Sequence, residues 1–146
     1  MPQQPVDPPP VSIPPPTPVR IAGVSVLVQA AAVVVLAVIM VISGLGNDAD
    51  VGQLLAQGAY FVVLALAMAV CAAGLLRGRR WGRTPVIVLQ IIVGAIGFYL
   101  AVPSGQLLPG LGLIVLAVAT GGLLLTKQAN DWISRFPSLF GPEPGR

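Results

Sequence analysis

The fold of this chain is decided by one short polar stretch, LRGRRWGRTP at residues 76–85. The stretch, called the connector below, carries four of the eight basic residues and is flanked on both sides by long apolar runs. Apolar runs of this length cross a lipid bilayer, and a short arginine-rich segment between two crossings stays in the cytoplasm. The connector therefore predicts a membrane-spanning chain and its orientation.

The composition favours lipid over water as the solvent of this chain. Hydrophobic residues make up 55% of the 146 residues and charged residues only 9%, against about a quarter in a soluble domain. Histidine is absent and Cys71 is the single cysteine, so neither an internal disulfide nor a histidine- or cysteine-based metal site is expected. We expect no cofactor. Since the membrane accounts for the net charge of +3, we do not expect nucleic acid as a partner.

Four apolar runs are long enough to span the hydrocarbon core as helices. We expect them at about residues 21–42, 53–76, 85–102 and 106–125. Thr84 and Pro85 predict the start of the third helix, with the threonine as cap and the proline as the first helical residue. The expected fold class is all-α, an integral membrane bundle of four antiparallel transmembrane helices.

Both ends of the chain are expected to lie outside the bundle. Residues 1–18 contain nine prolines, which lack an amide donor and have a fixed φ, so we expect a disordered, extended cytoplasmic tail. Near the other end, Trp132, Ile133 and Phe136 share one helical face, which predicts a short interfacial helix capped by Thr126. The predicted domains are a tail at 1–18, a transmembrane domain at 19–126, and an interfacial segment and tail at 127–146.

The distribution of charge predicts the topology. With the connector inside, both termini are inside (N-in, C-in) and the outer loops carry only Asp48 and Asp50. All basic residues are then cytoplasmic: Arg20, Arg77, Arg79, Arg80, Arg83, Lys127, Arg135 and Arg146. We expect a multi-pass protein of the bacterial inner membrane. The connector arginines at positions 77, 79, 80 and 83 are expected to contact anionic lipid head groups as well as to set the topology.

The connector also resembles that of a known family. The residues GRRWGRTP at 78–85, followed by Gln90, resemble the Gly-Arg-Arg-Trp-x-Arg-x-Pro connector of uncharacterised small four-helix integral membrane proteins common in actinobacteria. Gln29, the LLLT segment at 123–126 and Trp132 also look like that family. The resemblance covers roughly residues 19–136. It implies membrane location and four-helix topology, and it carries over no activity and no functional residue.

Four side chains are predicted to form a polar layer inside the membrane. Counted from the nearest basic residue, they lie roughly 9–14 Å from the cytoplasmic boundary; they are Gln29, Cys71, Gln90 and Thr120. A glutamine amide facing lipid leaves its donors unpaired, so we expect Gln29 and Gln90 to hydrogen-bond across a helix interface, with Thr120 or a backbone carbonyl as a further partner. The layer is either a structural clamp or a ligand or permeation site.

Small residues recur on the predicted helices at steps of three and four. The second helix carries Gly58, Ala65, Ala69, Ala72 and Ala73, the third Gly97 and Ala101, and the fourth Ala117 and Gly121. Small residues let helix backbones approach closely in lipid. Packing within one bundle is the default expectation, and a homodimer face is the alternative.

The cores of the predicted crossings contain no aspartate, glutamate, lysine, arginine or histidine. Proton pumps and many ion-coupled transporters need such groups, and Ser25, Cys71 and Thr120 have no basic partner there, so an enzyme is not expected. We expect a non-enzymatic structural or accessory role, with contact to anionic lipid or a protein partner on the cytoplasmic face. The alternative is an oligomeric small-molecule transporter or channel component. Both a homo-oligomer and a membrane protein partner stay open.

Overall fold

The described part of the chain, residues 12–47 and 50–136 in a computed structural model, is helical and contains no strand. Its helices are α1 (Thr17–Leu45), α2 (Val51–Leu76), α3 (Arg83–Ala101), α4 (Leu107–Leu124) and α5 (Lys127–Ser134), with a 3₁₀ turn at Arg80–Gly82. The first four are long and apolar enough to cross a membrane. The predicted all-α class with four membrane-spanning helices is confirmed.

The four long helices form two antiparallel hairpins. α1 packs along α2 and α3 packs along α4, while α1 also meets α4 and α2 meets α3 less extensively. The start of α1, the connector and α5 lie at one end, called the connector end; the α1–α2 and α3–α4 loops lie at the opposite loop end. The cluster of buried apolar residues that joins the two hairpins lies in the half nearer the connector end and includes Val26, Met68, Val86 and Leu124.

The first helix begins earlier than expected. α1 starts at Thr17 rather than near residue 21, with Pro16 in extended conformation before it and Pro18 in its first turn. Proline suits this position because the first turn of a helix has no internal partner for its amide groups. The predicted boundary of the tail at residue 18 is therefore too late. Residues 1–11 of the predicted tail lie outside the described residues.

The start of α3 also differs from the expectation. The 3₁₀ turn runs directly into the helix, which begins at Arg83 after Gly82, and Gly82 makes no side-chain cap. Thr84 therefore lies inside the first turn, and its predicted capping role is wrong. The predicted cap of α5 is confirmed, since Thr126 Oγ1 accepts a hydrogen bond from the amide of Ala129 at 3.4 Å.

The α3–α4 interface depends on two glycines that bring the backbones into contact. A Cβ atom placed on Gly110 would lie 2.6 Å from the carbonyl oxygen of Gly97 and 2.7 Å from the Cα of Ala101. A Cβ on Gly97 would in turn lie 2.8 Å from the carbonyl oxygen of Gly110. Since these neighbours are backbone atoms, they cannot move aside without separating the helices.

We expect Gly110→Ala to lower the free energy of unfolding by about 1–3 kcal/mol, because the added methyl group overpacks the interface. Gly112→Ala is the matched control, because a Cβ at Gly112 meets no atom within 4 Å, and it should be neutral or stabilising by up to about 1 kcal/mol. Reversible unfolding in bicelles measures both. Equal effects of the two substitutions would contradict the assigned contact.

Candidate functional site

Two glutamines form a reciprocal amide pair inside the bundle. Gln90 Nε2 donates to Gln29 Oε1 at 3.0 Å, and Gln29 Nε2 donates to Gln90 Oε1 at 3.4 Å. Their side chains are 7% and 3% exposed, respectively. The pair joins α1 to α3, which lie in different hairpins. The structure thus brings together the two residues whose contact the sequence predicts.

A second polar contact lies one helical turn from the first. The hydroxyl groups of Ser25 and Thr120 are 2.8 Å apart, which joins α1 to α4. Thr120 is 1% exposed, but its partner is the serine rather than a glutamine. Ser25 was missed as a layer residue. Its spacing of four from Gln29 is the signal that could have found it, because residues four apart share a helix face.

The fourth predicted layer residue, Cys71, is not part of these contacts. It lies partly buried on α2 as a free thiol and packs against the apolar cluster. In the part of the chain that the structure describes, every buried side-chain nitrogen and oxygen atom has a hydrogen-bond partner. The polar layer is therefore two hydrogen-bonded pairs, in which every buried nitrogen and oxygen atom has at least one partner.

Arg83 differs from the other connector arginines in its hydrogen bonds. Its Nε and Nη2 atoms donate to the carbonyl oxygen of Leu124 at 3.0 and 2.7 Å, and Nη2 also donates to Asn130 Oδ1. The last carbonyl groups of a helix lack internal partners and carry partial negative charge. Arg83 therefore ties α3 to the end of α4 and to α5, and its guanidinium is engaged within the protein.

The other three connector arginines extend away from these contacts. Arg77 and Arg79 are exposed, and Arg80 is half-buried at the start of the 3₁₀ turn. Among residues 12–47 and 50–136, Arg83 is the connector arginine with a hydrogen-bonded protein partner. Three guanidinium groups thus remain available to anions at the connector end, one fewer than the sequence predicts.

A contact at the connector end, called the clasp below, ties Ile13 to two distant parts of the chain. The amide of Ile13 donates to the carbonyl oxygen of Gly78 at 3.2 Å, and Trp132 Nε1 donates to the carbonyl oxygen of Ile13 at 3.1 Å. Trp132 is 1% exposed and packs edge-on against Phe136, with ring centroids 5.3 Å apart. The apolar face predicted for α5 therefore packs onto the bundle and the clasp.

Gly78 is the residue that makes the clasp sterically feasible. Its φ is +74°, a conformation that residues with a side chain rarely adopt. A Cβ at this position would also collide with the backbone of Ile13. The sequence carries no local signal for this contact, because Ile13 belongs to a proline-rich stretch and its partners lie far along the chain.

Comparisons of the chain with protein-family models, curated proteins and solved structures find no match. The family resemblance therefore stays a prediction from the connector motif. Within residues 12–47 and 50–136, no group of three or more histidine, cysteine, aspartate or glutamate side chains could hold a metal ion. The candidate functional features of the structure are therefore the amide pair, the clasp and the arginines of the connector end.

We expect Gln29→Leu and Gln90→Leu each to destabilise the protein by about 1–3 kcal/mol, because each leaves a buried amide without its partner. The double variant should lose less than the sum, with a coupling energy of about 0.6–1.7 kcal/mol. Unfolding in bicelles gives the double-mutant cycle. Gln57→Leu, at an exposed position of α2, is the control. Strictly additive single effects would show that the amides do not interact.

We expect Gly78→Ala to release the clasp and to speed hydrogen exchange of the Ile13 amide about fivefold or more, the loss of roughly one hydrogen bond. Gly105→Ala is the matched control, because Gly105 has a similar φ of +68° but no atom within 4 Å of an added Cβ. Trp132→Phe, which removes one donor and leaves Gly78 intact, should act in the same direction. Unchanged protection of Ile13 in both variants would refute the clasp.

Proposed function

We propose that the chain is a small multi-pass protein of the bacterial inner membrane with a non-enzymatic accessory role. Its working surface is the connector end, which meets anionic lipid or a protein partner at the cytoplasmic face. The observation that carries this proposal is the clasp, which joins Ile13, the connector and α5 into one assembled surface. A bundle whose only role was to span the membrane would not need an assembled surface at this end.

The charge distribution supports a cytoplasmic connector end. The basic side chains of Arg20, Arg77, Arg79, Arg80 and Lys127 all belong to elements at this end. The loop end carries Asp50, whose carboxylate caps α2 by accepting hydrogen bonds from the amides of Gly52 and Gln53 at 2.8 and 3.2 Å. Positive residues are retained on the cytoplasmic side of a membrane during insertion.

The interior of the bundle gives less support to the alternative, a transporter or channel component. Solute sites inside membranes use polar groups that can bind the solute in place of water. Here the side chains of Gln29, Gln90, Ser25 and Thr120 are paired with one another. Because these groups already pair across helix interfaces, a structural clamp is the better account of the layer.

Cross-linking in whole cells tests the accessory role. The chain's single lysine, Lys127, is exposed in the first turn of α5, so an amine-reactive reagent probes the connector end. We expect a membrane-permeant reagent to capture a defined partner and an impermeant one to capture none. Deleting residues 1–11, which keeps the clasp, should reduce capture several-fold, because we expect the tail to contribute to docking.

Two results would contradict the proposal. Equal capture by the impermeant reagent would place the connector end outside the cell. Solute flux through liposomes that contain only this protein, lost on Gln29→Leu and retained on Gln57→Leu, would favour the transporter instead.

A further inference from the structure

We propose that a groove on the outer face of α2 binds one anionic phospholipid of the leaflet at the connector end. This inference deepens the proposed function by naming the class of lipid and where it binds. It rests on the proposed function for the side of the membrane on which the connector end lies. The groove has a volume of about 400 Å³. Its floor is formed by Ala69, Ala73 and Gly74, and its flanks include Leu66 and Val70.

The groove follows one stripe of α2 along the helix axis. Leu66, Val70, Ala73 and Arg77 succeed one another at steps of four, three and four, which keeps them on one helix face. From Leu66 to Arg77 the helix rises about 16 Å at about 1.5 Å per residue. Half of a hydrocarbon core of about 30 Å is about 15 Å. The stripe is therefore as long as one leaflet is thick, which suits a single acyl chain.

Small residues are what make the stripe concave. Ala73 is half-buried and Gly74 is buried, whereas the side chains of Leu66 and Val70 stand out with 60% and 58% exposure. Trp81 closes the groove at the connector end, because its ring lies over Gly74. A Cβ at Gly74 would be 3.0 Å from Trp81 Cζ2. An acyl chain can thus lie against the floor between larger apolar side chains.

The mouth of the groove is cationic. Arg77 and Arg79 both line it beside Trp81, and no acidic residue of the described part of the chain does. Two guanidinium groups bind phosphate oxygens through charge-assisted hydrogen bonds, and tryptophan is favoured at the level of lipid head groups. Charge and length together therefore identify the occupant as a lipid with an acyl chain, a phosphate and net negative charge.

Two other grooves at the connector end are weaker candidates. One lies along the start of α1 and is lined by Arg20, and the other lies between α1 and α4 and is lined by Lys127. Each has one basic side chain where the α2 groove has two. Since each basic residue near the membrane surface adds a similar attraction to anionic lipid, the α2 groove should have the strongest preference.

Tryptophan quenching by brominated lipid tests the proposal. The protein has two tryptophans; Trp81 is 49% exposed at the groove and Trp132 is 1% exposed in the clasp. The full-length protein is reconstituted with brominated phosphatidylglycerol or phosphatidylcholine that carry the same acyl chains. We expect phosphatidylglycerol to associate at Trp81 about fivefold or more tightly, the factor that one basic residue contributes. Trp81→Phe gives the background from Trp132.

Three variants decide whether the groove is the site. The double variant Arg77→Gln, Arg79→Gln should lower the ratio of phosphatidylglycerol to phosphatidylcholine association to about one. The double variant Arg20→Gln, Arg135→Gln removes the same charge elsewhere and should leave this ratio unchanged. Ala73→Leu fills the floor on the lipid-facing side and should weaken association of both lipids.

The proposal is overturned if the two lipids quench equally in the wild-type protein. It is also overturned if both arginine pairs reduce the preference alike, or if Ala73→Leu has no effect. Partner capture through Lys127 does not depend on tryptophan quenching. A failure of the lipid proposal can therefore be distinguished from a failure of the proposed function.

Discussion

The reciprocal amide pair of Gln29 and Gln90 is the interaction on which the rest of the bundle depends. Within each hairpin, helices are held together by close packing of small residues, as at Gly97 and Gly110. Between hairpins, lipid competes for every apolar contact, because it is as apolar as the helices themselves. Polar groups have no such competitor, since lipid cannot pair with an amide. The pair therefore specifies which faces of the two hairpins meet.

At the connector end, too, polar groups need hydrogen-bond partners, although the surrounding solvent is different. Here the helices end, so carbonyl groups such as that of Leu124 need partners, and Arg83 supplies one from the other helix of the same hairpin. The clasp likewise satisfies the backbone of Ile13 with groups from the connector and α5. Polar contacts thus hold both the interior of the bundle and its basic end, and the buried apolar cluster packs between them.

Much of this architecture could be predicted from sequence because its signals are local. The crossings follow from hydropathy, and the pairing of Gln29 with Gln90 follows from the cost of leaving their amides unpaired in lipid. The start of α3 could not be predicted from its threonine and proline, because the preceding 3₁₀ turn carries the helix back to Arg83. Gly110 resembles any other glycine in an apolar run, and only its position opposite Gly97 gives it a role.

The clasp has a consequence for the order in which the protein is made. Ile13 and Trp132 are 119 residues apart in the chain, so their hydrogen bond cannot form until synthesis has passed all four membrane-spanning helices. Closing so long a loop is also entropically costly unless the intervening helices have already assembled. The clasp therefore forms late in assembly, and it is absent from any truncated product that ends before α5.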